Sequence, residues 1–269
     1  MPRTKPGSAK RKIGWGLRLW VVAVAVLLLA PTLVVIPMSL GAGRTFEFPP
    51  KEWSLRWYEE FFSSTQWMDS VLTSVQAAVL TAVLATVIGV AAAIGLDRGR
   101  FPGREMLRSA MMAPMIVPGI VVAIAIYATF LRWHLNGTLI GFVLAHTVLA
   151  VPFVVTSVSA SLAGYDRTVE TAAASLGASG WTIVHRITLP LLAPGIASGF
   201  VFAFVTSFDE VVIALFLQTP DTRTLPVQMY DSITLEIDPT IAAASSLIVV
   251  VTTAALLLPQ LIRRRRSDA

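Results

Sequence analysis

Residues 170–195 read ETAAASLGASGWTIVHRITLPLLAPG. The stretch is polar enough to face water, yet strongly apolar segments flank it on both sides. Its order predicts a short helix over 170–176, a turn at Gly177, and a second short helix over 181–187. Glycine suits the turn because it lacks a Cβ. Pro190 is expected to close the second helix, since a proline ring disfavours helical geometry in the residue ahead of it. Two short helices between apolar walls make a knob outside a membrane.

The composition agrees with those walls. Of 269 residues, 55% are hydrophobic and 14% charged, against about 25% charged in soluble domains. Mean hydropathy is +0.72. Absence of cysteine excludes a disulfide framework and a thiolate metal site. The three histidines, His134, His146 and His185, are too far apart for a local metal motif. The net charge of +5 does not imply nucleic acid, because the basic residues flank apolar runs as they do beside membranes.

Six stretches reach the roughly 20 apolar residues that a bilayer core requires: 20–40, 71–96, 107–131, 139–162, 195–217 and 241–262. The first is read as an uncleaved helix, because its apolar run exceeds that of a signal peptide and no small-residue cleavage site follows. Six spans put both termini on one side. That side, with loops 97–108 and 164–192, holds 16 of the 21 lysines and arginines. The opposite side holds five: Arg44, Lys51, Arg56, Arg132 and Arg223. Positive residues gather in the cytoplasm, so both termini and the 170–195 knob are expected there. The organisation is then a basic cytoplasmic segment 1–19, a membrane domain 20–262 carrying the loop 164–192, and a basic tail 263–269. Before the second span, Trp53, Trp57 and Phe61 recur at helical spacing, which predicts an amphipathic helix anchored at the membrane surface.

Several chemistries have no residues to carry them. There is no Gly-x-x-x-x-Gly-Lys-Ser/Thr phosphate loop, no HExxH and no Gly-x-Ser-x-Gly elbow. No catalytic, cofactor or metal residue is assigned. Active transport by such a chain draws on an ion gradient or on another subunit.

The knob resembles the EAA loop of permease subunits of ATP-binding-cassette importers, whose pattern is Glu-Ala-Ala, three residues, Gly, nine residues, Ile-x-Leu-Pro. Ala172, Ala173, Gly177, Ile187, Leu189 and Pro190 fall at the matching spacing. The pattern's glutamate falls on Thr171, with Glu170 one residue earlier, which leaves the contact of Glu170 open. The likeness extends to PMIVPG at 114–119 and to SFDE at 207–210, and within the superfamily it is greatest to the second permease of spermidine/putrescine importers. The resemblance implies an all-α, type I (MetI-like) permease fold with six spans in the plasma membrane. It also implies a cytoplasmic ATPase dimer held by the loop, a second and different permease chain, and an external solute-binding protein.

Asp209 and Glu210 lie within the expected fifth span, beyond its middle. A carboxylate at a helix centre costs about 2.5–3.5 kcal/mol on insertion scales, and such groups face a bundle interior or a water path. The pair is therefore a candidate contact for a cationic substrate, in keeping with a polyamine. The competing reading is an ion-gradient-driven secondary transporter using the same two carboxylates. Gly195 and Gly199 form a small-xxx-small pair suited to close helix packing. His146 is expected to be a hydrogen-bonded packing residue, and Pro114, Pro118 and Pro152 to kink their spans.

Overall fold

A computed structural model describes residues 14–235 and 238–267, with side chains up to residue 254. The basic residues at 3–12 and 263–266 therefore lie outside the described side chains. Among the described residues the chain is helical and contains no strand, only isolated bridges such as that between Gly41 and Trp53.

The helices are α1 (Trp15–Ser39), α2 (Arg56–Ser63), α3 (Thr65–Arg98), α4 (Arg104–Ile116), α5 (Gly119–Trp133) and α6 (Leu139–Ala163). There follow α7 (Thr168–Ser175), α8 (Gly180–Ile183), a π-helical turn (Val184–Thr188), α9 (Leu189–Phe208), α10 (Val212–Leu217), α11 (Leu225–Thr234) and α12 (Thr240–Ser267). They divide into two compact units, Ser64–Thr234 and the remainder.

The core of the larger unit is a triple contact of α3, α6 and α9. Its sequence basis is a stripe of small residues along α3, in which Ala78, Ala82, Ala85, Gly89 and Ala93 are buried at spacings of three and four. In a bilayer, small residues let backbones approach until dispersion and hydrogen bonding hold the helices. Val154 of α6 fills the centre of this contact. A Cβ on Gly89 would lie 2.6 Å from Val154 Cβ, and one on Gly199 would lie 3.1 Å from Val154 Cα. Gly195 faces Ser157 and Ser161 of α6 as closely. The expected packing role of Gly195 and Gly199 is thus met.

Caps explain where the long helices begin. Ser64 accepts from the N–H of Trp67 ahead of α3, and Thr138 accepts from the N–H of Gly141 ahead of α6. These two helices match the expected second and fourth spans closely. Among the described residues, four helices are long and apolar enough to cross a membrane, and five if the bent pair α4–α5 counts as one.

Three expectations about the helices need correction. The stretch 107–131 is not one continuous helix, because α4 and α5 meet at 104°, the geometry of a broken span or of a re-entrant pair. Pro118 forces Val117 into extended geometry (ψ 133°) and starts a new helix. The stretch 195–217 is not one helix either, since α9 stops at Phe208 and α10 starts afresh at Val212. Finally, Pro190 does not close a helix. The chain runs as one 29-residue helical segment, Gly180–Phe208. The π-turn makes this possible: the N–H of Leu189 bonds to Val184 O, five residues back. The shifted ladder removes the regular i−4 pairing that proline would break.

In the smaller unit, α12 packs against α1 and α2. The Tyr58 hydroxyl lies 2.6 Å from Ser39 Oγ and donates to Ser246 Oγ at 3.1 Å. The surface-anchor helix expected from Trp53, Trp57 and Phe61 is shorter than its spacing suggests. Trp53 precedes α2 and is exposed, whereas Trp57 and Phe61 are buried. Their aromatic faces serve packing inside the unit.

Candidate functional site

Two places gather the polar chemistry of the larger unit. The first is the hairpin of α7 and α8. Asp166 starts it, accepting from both the N–H (2.9 Å) and the Oγ1 (2.5 Å) of Thr168. Those bonds hold the Asp166 carboxyl below its ordinary range. Helix α7 ends at Ser175 with Leu176 as its C-cap, and Gly177 then turns the chain at φ +86°, a left-handed conformation that costs other residues about 1–2 kcal/mol. Ser179 caps α8 by accepting from the N–H of Thr182. The expected glycine turn between two short helices is present.

The tip of this hairpin is apolar and uncovered. Leu176 is 89% exposed and Trp181 76% exposed, with the Trp181 ring stacked on His185 at 5.9 Å. Single exposed leucines are ordinary; a leucine and a tryptophan together on one small tip form an apolar patch. Ala172 and Pro190 are exposed, while Ala173, Ile187 and Leu189 are half-buried. A groove of about 320 Å³ runs between α7 and α8, lined by Arg98, Glu170, Thr171, Ala174, Gly180 and Ile183.

Beneath the groove lies a contact that sequence reading left open. Glu170 Oε1 accepts from Arg98 Nη2 at 2.5 Å and from Thr188 Oγ1 at 2.6 Å, and Arg98 Nη2 reaches Thr188 Oγ1 at 2.9 Å. The Glu170 side chain is 17% exposed, and Thr188 is buried. Exposed ion pairs contribute about 0–1 kcal/mol, whereas a partly buried one carrying extra hydrogen bonds contributes more. Alongside, Arg167 pairs with Asp97. Burial, and then the Glu170 carboxylate, push the Tyr165 phenol above its ordinary value.

The second place is the break between α9 and α10. Glu210 Oε1 accepts from the N–H of Ile213 (2.8 Å) and Oε2 from that of Ala214 (2.9 Å). The carboxylate thereby satisfies donors that a helix start leaves unpaired. His146 of α6 approaches with Nε2 3.6 Å from Glu210 Oε2, while its Nδ1 is 2.8 Å from Ser207 Oγ. Both the His146 and Glu210 side chains are buried. His146 is a hydrogen-bonded interior residue, as expected. Asp209 is exposed. The two carboxylates are thus neither inside a helix nor equivalent: Glu210 is committed to the backbone, and Asp209 is free to face outward. Among the described residues no cluster of three metal-ligating side chains occurs.

Sequence reasoning missed Arg98, Asp97, Arg167 and Thr188. Arg98 and Glu170 are 72 residues apart, and no local spacing signals such a pair.

A small-residue helical bundle whose water-facing hairpin continues directly into a long apolar helix defines a multi-pass membrane protein. The chain belongs to the family of binding-protein-dependent transport system inner membrane components, whose family model matches residues 85–267. It is a multi-pass protein of the inner membrane, and its family is one of transport-system components. It is 37% identical over 99 residues to the spermidine/putrescine transport system permease protein PotC of Escherichia coli, covering 37% of this chain and 38% of that one. Over 100 residues it is 38% identical to the putrescine transport system permease protein PotI of the same organism, covering 37% and 36%. Over 96 residues it is 38% identical to the molybdenum transport system permease protein ModB of Haemophilus influenzae, covering 35% and 42%. Each match therefore spans less than half of the relative's length. Among solved structures, the fold is shared with a bacterial ABC transporter involved in alginate import, at TM-score 0.68 and 16% identity over 94% of this chain and 99% of that one. A second alginate transporter structure, in complex with an alginate-bound periplasmic protein, aligns at TM-score 0.72 and 16% identity over 93% of each chain.

Proposed function

We propose that this chain is the permease subunit of an ATP-binding-cassette importer, and that it forms part of the path for a small cation of the polyamine class. The observation that carries the reading is the α7–α8 hairpin. It presents Leu176 and Trp181 to solvent, turns at Gly177, and is continuous with a spanning helix through the π-turn. A rigid knob joined to a spanning helix is suited to passing the motion of a bound ATPase into the membrane. Glu170, Ala172, Ala173, Gly177, Ile187, Leu189 and Pro190 build the knob and its join.

In this proposal the topology has six spans, both termini are cytoplasmic, and the membrane domain runs over 20–262 with its coupling loop at 164–192. The excess of basic residues on the hairpin side supports that orientation. The partners are an ATPase dimer, a second permease chain and an external solute-binding protein. A reporter enzyme that works only outside the cytoplasm, fused to Ala269, will be silent; activity there overturns the topology.

For the cargo, the supports are the similarity to PotC and PotI and the exposed carboxylate of Asp209. Of the two carboxylates the proposal favours Asp209, because both Glu210 oxygens accept from the start of α10. The similarity to ModB makes an anionic cargo the alternative outcome. Competition between labelled spermidine, putrescine and molybdate for uptake separates the two.

A further inference from the structure

Helix α7 buries no residue of its own. Apolar packing therefore does not fix its position, and polar contacts must. These contacts are unusually specific in their order of charge. On α3, Asp97 is followed by Arg98; at the start of α7, the N-cap residue Arg167 precedes Glu170 by three residues and so lies on the same side. Asp97 pairs with Arg167 and Arg98 with Glu170. Exchanging the partners would set acid against acid and base against base, so the charge order keys one register of α7 on the end of α3.

The key also reaches the third helix. Thr188, the last residue of the π-turn, donates to Glu170 and accepts from Arg98. The hairpin is thus tied to α3 by side chains and to α9 by the backbone, with Thr188 joining both links. The side-chain link is the one that no covalent connection supplies, because α3 is separated from α7 by α4, α5 and α6 in the chain.

We propose that Arg98 is a positioning residue for coupling: through Glu170 and Thr188 it locks the hairpin to α3, so that a displacement of the hairpin moves α3 and α9 together. The proposal rests on the coupling function set out above. A hairpin attached to α9 alone would be free to tilt against the end of α3, whereas the lock makes the hairpin and the packed core move as one body.

The absence of cysteine permits a direct test. Gly95 of α3 and Gly180 of α8 have no neighbour within 4 Å where a Cβ would stand, so both accept a spin-labelled cysteine. In the complex of full-length chain and partner subunits, the interspin distance is measured without nucleotide and with ATP plus vanadate. The lock predicts the same distance in both states for the wild-type key. With Arg98→Glu, and with the milder Arg98→Met, the distance changes between states. The ATPase still co-purifies and hydrolyses ATP, but spermidine uptake per ATP falls roughly tenfold. Arg98→Glu combined with Glu170→Arg re-forms the ion pair and restores both readouts, while unchanged ATPase binding and hydrolysis in the single variants separate a loss of coupling from a loss of structure. A wild-type distance that differs between the two states overturns the proposal, as do Arg98 variants that couple normally or a swap that fails to rescue. If the wild-type complex retains no ATPase at all, the coupling function itself falls, and this proposal with it.

Discussion

Glu210 Oε2 lies 3.6 Å from His146 Nε2 while both Glu210 oxygens already accept backbone N–H bonds from α10. The carboxylate is therefore first a structural cap at the broken helix, and in the proposed function its exposed neighbour Asp209 is the group that meets a cationic ligand. The two positions should separate on substitution. Glu210→Ala leaves buried donors unpaired, which costs about 1–3 kcal/mol and lowers the thermal midpoint of the purified chain. Asp209→Asn leaves that midpoint unchanged and weakens uptake of cationic substrate. Equal thermal loss in both variants would refute this division.

The grip of Gly89 and Gly199 on Val154 gives a packing prediction. Gly89→Ala places a methyl 2.6 Å from Val154 Cβ and Cγ1, and overpacking of this kind costs about 1–3 kcal/mol. Gly95→Ala, on the same helix with open space around it, costs nothing measurable. Unfolding of both variants in detergent, followed by circular dichroism, makes the comparison; a Gly95→Ala loss as large as that of Gly89→Ala would contradict the three-helix contact.

At Gly177 the φ of +86° excludes β-branched residues. Gly177→Val should leave membrane insertion intact while the ATPase no longer co-purifies. Trp181→Asp, which keeps the backbone but places a charge on the exposed tip, should do the same. Retention of the ATPase by both variants would show that the hairpin is not the docking element.

The sequence made α3 and α6 legible because apolar length and a capping Ser or Thr mark such helices locally. The α4–α5 break was harder to see. Hydropathy sums composition over a window and is blind to direction, so a 104° bend at Val117 and Pro118 reads the same as a straight span. Pro190 misled for a related reason: proline does break a regular ladder, but a π-turn immediately before it supplies a different ladder. Asp209 and Glu210 read as intramembrane charges of one kind until the break showed Glu210 serving the backbone. Gly177 needed no structure, since the turn demands a residue without a Cβ. Arg98 was out of reach, because its partner is chosen by the packing of α3 beside the hairpin and by nothing in its own neighbourhood.

The central claim is that ATP hydrolysed by a partner, acting through the hairpin, drives cargo across this chain. The most direct measurement is uptake of labelled spermidine into proteoliposomes that contain the complex with its binding protein. The account predicts uptake that requires ATP on the hairpin side, persists with an uncoupler, and is lost in Gly177→Val. Uptake that proceeds without ATP and collapses with the proton gradient would contradict it.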